Sequence, residues 1–170
     1  MTIRIRSART SDVPAMQALM EPLVERRILL GKELVTLYEA IQEFQVAEDE
    51  SGAILGFGAL HVFWEDLGEV RTLAVADEWR QRGIGHLLLE ALEDRARELG
   101  LSRLFCLTFE VEFFERHGFR VIADPGERIV DEETYIELVR SPDEGVAEFL
   151  DLARVKQNTL GNSRLLKHLD

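Results

Sequence analysis

The chain of 170 residues has a single cysteine, Cys106, so the sequence allows neither an internal disulfide nor a cysteine-based metal cluster. Basic residues are in deficit. Lys and Arg number 20 against 32 Asp and Glu, a formal net charge of −12. That balance argues against a nucleic-acid or anionic-membrane surface, since either needs a net basic field. No apolar run approaches the roughly 18 residues of a membrane-crossing helix. Met1-Thr2-Ile3-Arg4-Ile5-Arg6 alternates charged and apolar residues and lacks the apolar core of a secretory signal. No internal repeat, low-complexity tract or linker interrupts the sequence. What is present is 46% hydrophobic, the share of a globular domain. The expectation is one acidic, soluble, cytoplasmic domain over residues 1–170.

Periodicity orders the elements. Residues 2–6 alternate and read as a strand. Thr10 or Ser11 is placed to cap a helix through Met16, Leu19, Met20 and Leu23, with Pro14 in its first turn. Leu34, Leu37, Ile41 and Phe44 recur at helical spacing after Gly31 and predict a second helix. Residues 45–48 and 53–62 read as a hairpin about Asp49-Glu50-Ser51-Gly52, and 69–75 as a third strand. Leu87, Leu88, Leu89, Leu92, Ala96 and Leu99 mark the clearest helix, with Gly100 at its C-cap. A buried strand over 103–108, a short helix over 110–117 ended by Gly118, and a strand over 119–122 follow. Residues 131–140 and 143–153 predict two short helices, and 165–169 a last strand. The order predicts a mixed α/β sheet with helices on both faces.

The stretch that carries chemistry is Leu73-Ala74-Val75 followed by Arg80-Gln81-Arg82-Gly83-Ile84-Gly85. A strand feeds a glycine turn, which feeds a helix N-terminus. That arrangement aims several backbone amides and the positive helix end at one point, an anion site. Gly83 and Gly85 let a phosphate approach the backbone, and Arg80 and Arg82 add charge-assisted contacts. No Lys-Ser/Thr follows, as a Walker loop requires, and the dinucleotide fingerprint fails at Leu88.

With Glu112-Phe-Phe-Glu-Arg-His-Gly-Phe119 downstream, this pattern resembles the GNAT superfamily of N-acetyltransferases. The resemblance covers most of residues 3–122. It implies the GNAT fold, a mostly antiparallel mixed sheet with the strands over 69–75 and 103–108 splayed into a V-shaped gap. It implies acetyl-CoA as co-substrate and no metal. Leu73 and Val75 would then contact the pantetheine and thioester, and Arg80, Gln81, Arg82, Gly83, Ile84 and Gly85 the pyrophosphate. Residues 31–44, 68–75, 104–108 and 158–166 further resemble the acetyltransferase domain of N-acetylglutamate synthases, most of all their short bacterial form. That family acetylates the α-amine of glutamate at the opening of arginine biosynthesis. Its longer members carry an amino-acid-kinase domain that binds arginine. A chain of this length is not expected to hold one.

The resemblance assigns further residues. Phe114 stands in the cofactor site where many GNAT enzymes carry a proton-donating tyrosine. Glu69 is placed as a general base on its strand. The alternative is an exposed glutamate paired with Arg71. The Val75 amide would stabilise the oxyanion. Lys32, Arg71, Thr108, Ser163 and Arg164 are the acceptor-site candidates, with Ser163 and Arg164 taken as a pair. Cys106, His117, Trp64 and Trp79 are read as packing residues. The implied acceptor is a small molecule, L-glutamate or L-glutamine, with no nucleic acid or membrane partner, and a homodimer is compatible with the sequence. Another small amine as acceptor, or a CoA-binding module without turnover, are the alternatives.

Overall fold

Seven strands and six helices form in the described residues of a computed structural model, which are 1–29, 31–122, 129–150 and 162–170. The chain begins β1 (Arg4–Ser7), α1 (Val13–Glu25), α2 (Leu34–Glu39), β2 (Phe44–Glu48), β3 (Ile54–Trp64) and β4 (Leu67–Val75). It continues α3 (Ile84–Glu98), β5 (Arg103–Thr108), α4 (Val111–Arg116), β6 (Arg120–Val121), α5 (Glu132–Leu138), α6 (Glu144–Phe149) and β7 (Ser163–His168). The strands form one mixed sheet in the order β1-β2-β3-β4-β5-β7-β6. β4 and β5 are parallel, joined by the crossover helix that parallel neighbours require. The pairs β1–β2, β2–β3, β5–β7 and β6–β7 are antiparallel. The β4–β5 ladder covers only Leu67, Gly68 and Glu69 against Arg103, Leu104 and Phe105.

The described residues divide into two compact units. The first holds residues 1–61 and 70–99. Its sheet is covered on both faces. Met16, Met20 and Leu23 of α1 and Leu37 of α2 pack with Phe44, Val46, Phe57, Ala59 and Ala74. Ile84 and Leu88 of α3 pack with Ala47 and Leu55, joined by Leu73, Val75 and Trp79. The second unit holds residues 62–69 and 100–170. There Phe63, Phe105 and Phe149 form an aromatic cluster with ring centroids 5.1–6.2 Å apart, closed by Leu67, Leu138, Val146 and Leu166.

Boundaries differ from the periodicity at a few places. Leu34 to Phe44 does not make one helix. α2 stops at Glu39, a 3-10 turn spans Ile41–Glu43, and Phe44 opens β2 in the core. Burial of the Phe44 ring against Phe57 outweighs its helical spacing. Thr10 and Ser11 do not cap α1 directly. They lie in a 3-10 turn, and Asp12 is the N-cap. Gly100 and Gly118 take left-handed backbones (φ +87° and +88°) after α3 and α4. Residues 151–153 of the helix expected over 143–153, and 158–161 of the C-terminal motif, lie outside the described residues.

Asp12 is also the centre of a buried ionic knot. Arg6 donates to both its carboxylate oxygens, at 2.7 and 3.0 Å, and to Glu48 at 2.8 Å. The Arg9 amide donates to Asp12 as well. The Arg6 guanidinium, opposed by burial and aided by the Arg9 amide, holds the Asp12 carboxyl below its ordinary pKa. Asp12→Ala is therefore expected to lower unfolding free energy at pH 7 by about 2 kcal/mol. A carboxyl with a depressed folded-state pKa stabilises fully above its unfolded pKa, near 4, and loses that contribution as pH falls further. Chemical denaturation of both proteins checks this. The gap should be complete above pH ~4 and close below it, and a gap that ignores acid would refute the assignment.

Candidate active site

In the first unit, β4 ends at Val75, where the Ala76 amide donates to the Leu55 carbonyl at 2.8 Å. A 3-10 turn over Asp77–Trp79 leads to Arg80. Gln81 and Gly83 then take left-handed backbones, φ +60° and +83°, and α3 starts at Ile84. Such turns gather successive amides toward one side. The Leu87 amide bonds back to the Gly83 carbonyl at 3.1 Å. The amides of Gly83, Ile84 and Gly85 precede it and have no carbonyl one turn back in the helix. A β-carbon on Gly83 would meet nothing within 4 Å, so the space beyond this turn is open to a ligand.

The cations of the turn are carried deliberately. The Arg82 guanidinium lies over the Trp79 ring, 4.9 Å from its centroid. Trp79 packs against Ala47, Leu55, Ile84 and Leu88. The stack holds a positive charge beside the amides while Arg80, Gln81 and Arg82 remain exposed. Amide donors, a helix N-terminus and two arginines fit the pyrophosphate of a coenzyme.

β4 carries a strained residue upstream. Thr72 has φ +57°, a region that costs a β-branched side chain roughly 1–2 kcal/mol. Arg71 and Leu73 flank it, both half-buried. Beyond the strain, Leu73 and Val75 pack against the α3 cluster. Threonine is a normal strand residue, so nothing in the sequence announces this backbone.

In the second unit, topology joins residues far apart in sequence. Thr108 sits directly opposite Ser163, and Leu107 opposite Arg164. Opposed residues share a face and neighbours along a strand alternate. Thr108 and Ser163 therefore share one face, and Arg164 lies on the other, with Leu107, Phe105 and Leu166. Ser163 and Arg164, taken as a pair from the resemblance, thus stand on opposite faces of β7. Arg164 also has work of its own. Its Nε donates to the Glu148 carbonyl at 3.0 Å and an Nη to the Phe149 carbonyl, tying down the C-terminal end of α6. The Thr108 hydroxyl accepts the Glu110 amide at 2.9 Å, at the entrance to α4.

Glu69, opposite Phe105, is only 6% exposed, so it is not the exposed strand glutamate that the alternative described. Cys106 is buried, and burial, with a smaller contribution from the Glu69 charge, pushes its thiol well above the ordinary range. Phe114 is buried edge-on against Phe113 and Phe119, both 5.1 Å away, and its ring offers no proton. His117 lies against Phe113, its Nδ1 2.7 Å from the Phe113 carbonyl, at the end of α4. Lys32, two residues ahead of α2, and Arg71 belong to the first unit and are half-buried. Among the described residues, no group of three or more His, Cys, Asp or Glu is arranged to hold a metal ion, and no helix is long and apolar enough to cross a membrane.

The sequence pattern of the acetyltransferase (GNAT) family matches residues 16–119. The chain belongs to the GNAT acetyltransferase family. Acetyl-CoA is the acetyl donor of that family, and the seven-stranded sheet with parallel β4 and β5 is its fold. An amino-acid acetyltransferase of Mycobacterium tuberculosis is 55% identical over 164 residues, 95% of this chain and 92% of that protein. The crystal structure of Rv2747 from Mycobacterium tuberculosis in complex with CoA and NLQ superimposes with a TM-score of 0.90 at 54% identity, covering 98% of this chain and 99% of that one. N-acetylglutamate synthase from Neisseria gonorrhoeae, complexed with coenzyme A and N-acetyl-glutamate, matches at a TM-score of 0.77 and 29% identity. That match takes all of this chain but 36% of the longer protein.

A thiol held this far from ionisation is a poor nucleophile. Cys106→Ala is expected to keep most of the acetyl-transfer rate, with a loss of about 1 kcal/mol from the vacated volume. Rates with acetyl-CoA and thermal melts check this. An inactive, folded variant together with an acetylated Cys106 peptide from the parent protein would establish a covalent route instead.

Proposed function

We propose that the chain transfers the acetyl group of acetyl-CoA to the α-amine of L-glutamate, the reaction that opens arginine biosynthesis, as one domain over residues 1–170. The observation that carries this reading is the turn from Trp79 to Gly85, with its left-handed Gln81 and Gly83 and its stacked Arg82. The 55% identity to an amino-acid acetyltransferase supports an amino acid as acceptor. In this reading the amides of Gly83, Ile84 and Gly85, with Arg80, Gln81 and Arg82, hold the pyrophosphate. The main chain of Leu73 and Val75 is assigned to the pantetheine arm, and Phe114 to the cofactor site.

The chemistry is a direct transfer. The α-ammonium of the acceptor must lose a proton before it attacks, and Glu69 is assigned as base. The amine then adds to the thioester carbonyl, and the Val75 amide donates to the oxyanion, worth roughly 3 kcal/mol. As the amide forms, the nitrogen gives its second proton to water, and collapse breaks the carbon–sulfur bond and expels the CoA thiolate. Its conjugate thiol has a pKa of about 8–9, so water suffices as proton source where Phe114 offers none. Juxtaposition of the two substrates supplies much of the rest. Lys32, Arg71, Thr108 and Ser163 are assigned to the acceptor carboxylates. Arg164, with two donors committed to main-chain carbonyls, contributes less than a dedicated cation would. That commitment favours one second reading, L-glutamine, whose side chain is neutral.

Thiol release from acetyl-CoA with a panel of amines tests the assignment. L-Glutamate is expected to give the highest kcat/KM, and a better rate with L-glutamine would select the second reading. CoA binding without turnover on any amine would leave a non-catalytic module. Lys32→Ala should raise the acceptor KM by about 2–3 kcal/mol of binding while leaving the acetyl-CoA KM unchanged. Gly85→Asp should abolish CoA binding in calorimetry, because it sets a carboxylate where the pyrophosphate must lie. Near-normal affinity in that folded variant would remove the loop assignment.

A further inference from the structure

Two glycines inside β3, Gly56 and Gly58, face α3, and the reaction chemistry uses neither. The β2–β3 register shifts beside the first of them. Ala47 pairs with Gly56 and Glu48 with Ile54, so Leu55 is an extra residue in β3. A bulge of this kind breaks the strict alternation of side chains. Leu55 packs with Ile84 and Leu88 of α3. A β-carbon on Gly56 would point to the same place, 3.2 Å from Leu88 Cδ1 and 3.4 Å from Ile84 Cγ2. It would also lie 2.7 Å from the carbonyl oxygen of Ala74.

That last contact decides the position. Leucine and isoleucine tips can rotate away. A main-chain carbonyl yields only if the end of β4 moves. This end is tied to the same stretch of β3, since the Ala76 amide donates to the Leu55 carbonyl. Gly58 differs. Its β-carbon would meet Leu73 Cδ1 at 2.9 Å and Leu92 Cδ1 at 3.0 Å, both ends of flexible side chains, with Leu92 two turns along α3 from the loop.

We infer that Gly56 is a positioning residue for acetyl-CoA. By lacking a side chain it sets how closely the end of β4 and the first turn of α3 approach β3. It thereby sets the aim of the Gly83, Ile84 and Gly85 amides. The inference rests on the reading of that turn as the pyrophosphate site.

Calorimetry with coenzyme A, and thermal melts, on the full chain and on Gly56→Ala, Gly58→Ala and Gly85→Asp test it. Both alanine variants are expected to melt lower. At a temperature where all are folded, Gly56→Ala should raise the CoA Kd about ten-fold, because displacing a binding group by a fraction of an ångström is felt strongly. Gly58→Ala should leave it unchanged. If Gly56→Ala binds CoA like the parent, or Gly58→Ala weakens binding equally, the positioning role is overturned and only a packing role stands. Normal CoA binding by Gly85→Asp overturns the loop assignment and this inference with it, an outcome distinct from the first. If Gly56→Ala does not fold in buffer, its CoA affinity is compared with the parent's in trimethylamine N-oxide, an osmolyte that favours the folded state and leaves the contact with the Ala74 carbonyl in place. A ten-fold weaker affinity than the parent's under the same conditions supports the inference, and equal affinities overturn it.

Discussion

The tightest constraint in the first unit is the close approach of α3 to β3 and the end of β4. At Gly56 and Gly58 no β-carbon fits between them without a displacement. Close packing of this kind is resistant to small changes, because a displaced main chain carries its neighbours along. Ile84 and Leu88 are held in the groove beside Leu55, and the eight residues 76–83 carry the chain from the end of β4 to the helix they start. Left-handed backbones at Gln81 and Gly83 are what make that turn sterically feasible. The amides that converge there are a consequence of the packing, and their capacity for an anion follows from the convergence.

Charge is the second organising factor. A protein with a net charge of −12 repels an anionic substrate at long range, although salt screens that field over about 8 Å. The arginines are deployed differently from one place to another. Arg6 is spent on Asp12 and Glu48, Arg103 on Asp66 and the Ile129 carbonyl, and Arg164 on the end of α6. Arg82 is the contrasting case, because among the described residues its partner is the neutral face of Trp79, which does not cancel its positive charge. This difference between neutralised and merely positioned guanidiniums separates the scaffold arginines from one suited to a phosphate.

The candidate site was legible in the sequence where function depends on main-chain geometry. Glycines next to arginines, after an apolar strand and before an amphipathic helix, describe a turn and its amides with little dependence on the rest of the chain. Side-chain roles were less legible. Ser163 and Arg164 are adjacent in the sequence, and a strand sends adjacent side chains to opposite faces. Their register against Thr108 and Leu107 joins positions over fifty residues apart, which no local pattern encodes. The two glycines of Gly56-Phe57-Gly58 were a visible signal of a bulge or close approach inside a strand. Which atom they make room for depended on the Ala74 carbonyl.

By itself, then, the sequence determined the order of most elements, the two-sided sheet and the glycine turn ahead of α3. Each of these is written in short-range periodicity and in residues with unusual backbone freedom. Tertiary structure decided that Phe44 opens a strand and is not part of a helix, since the ring is buried only there. It decided that Glu69 is buried and that the Cys106 thiol is held protonated, because desolvation is set by what surrounds a group. It also decided that Thr72 takes a left-handed backbone, a strain that the surrounding contacts impose on a residue that would not choose it.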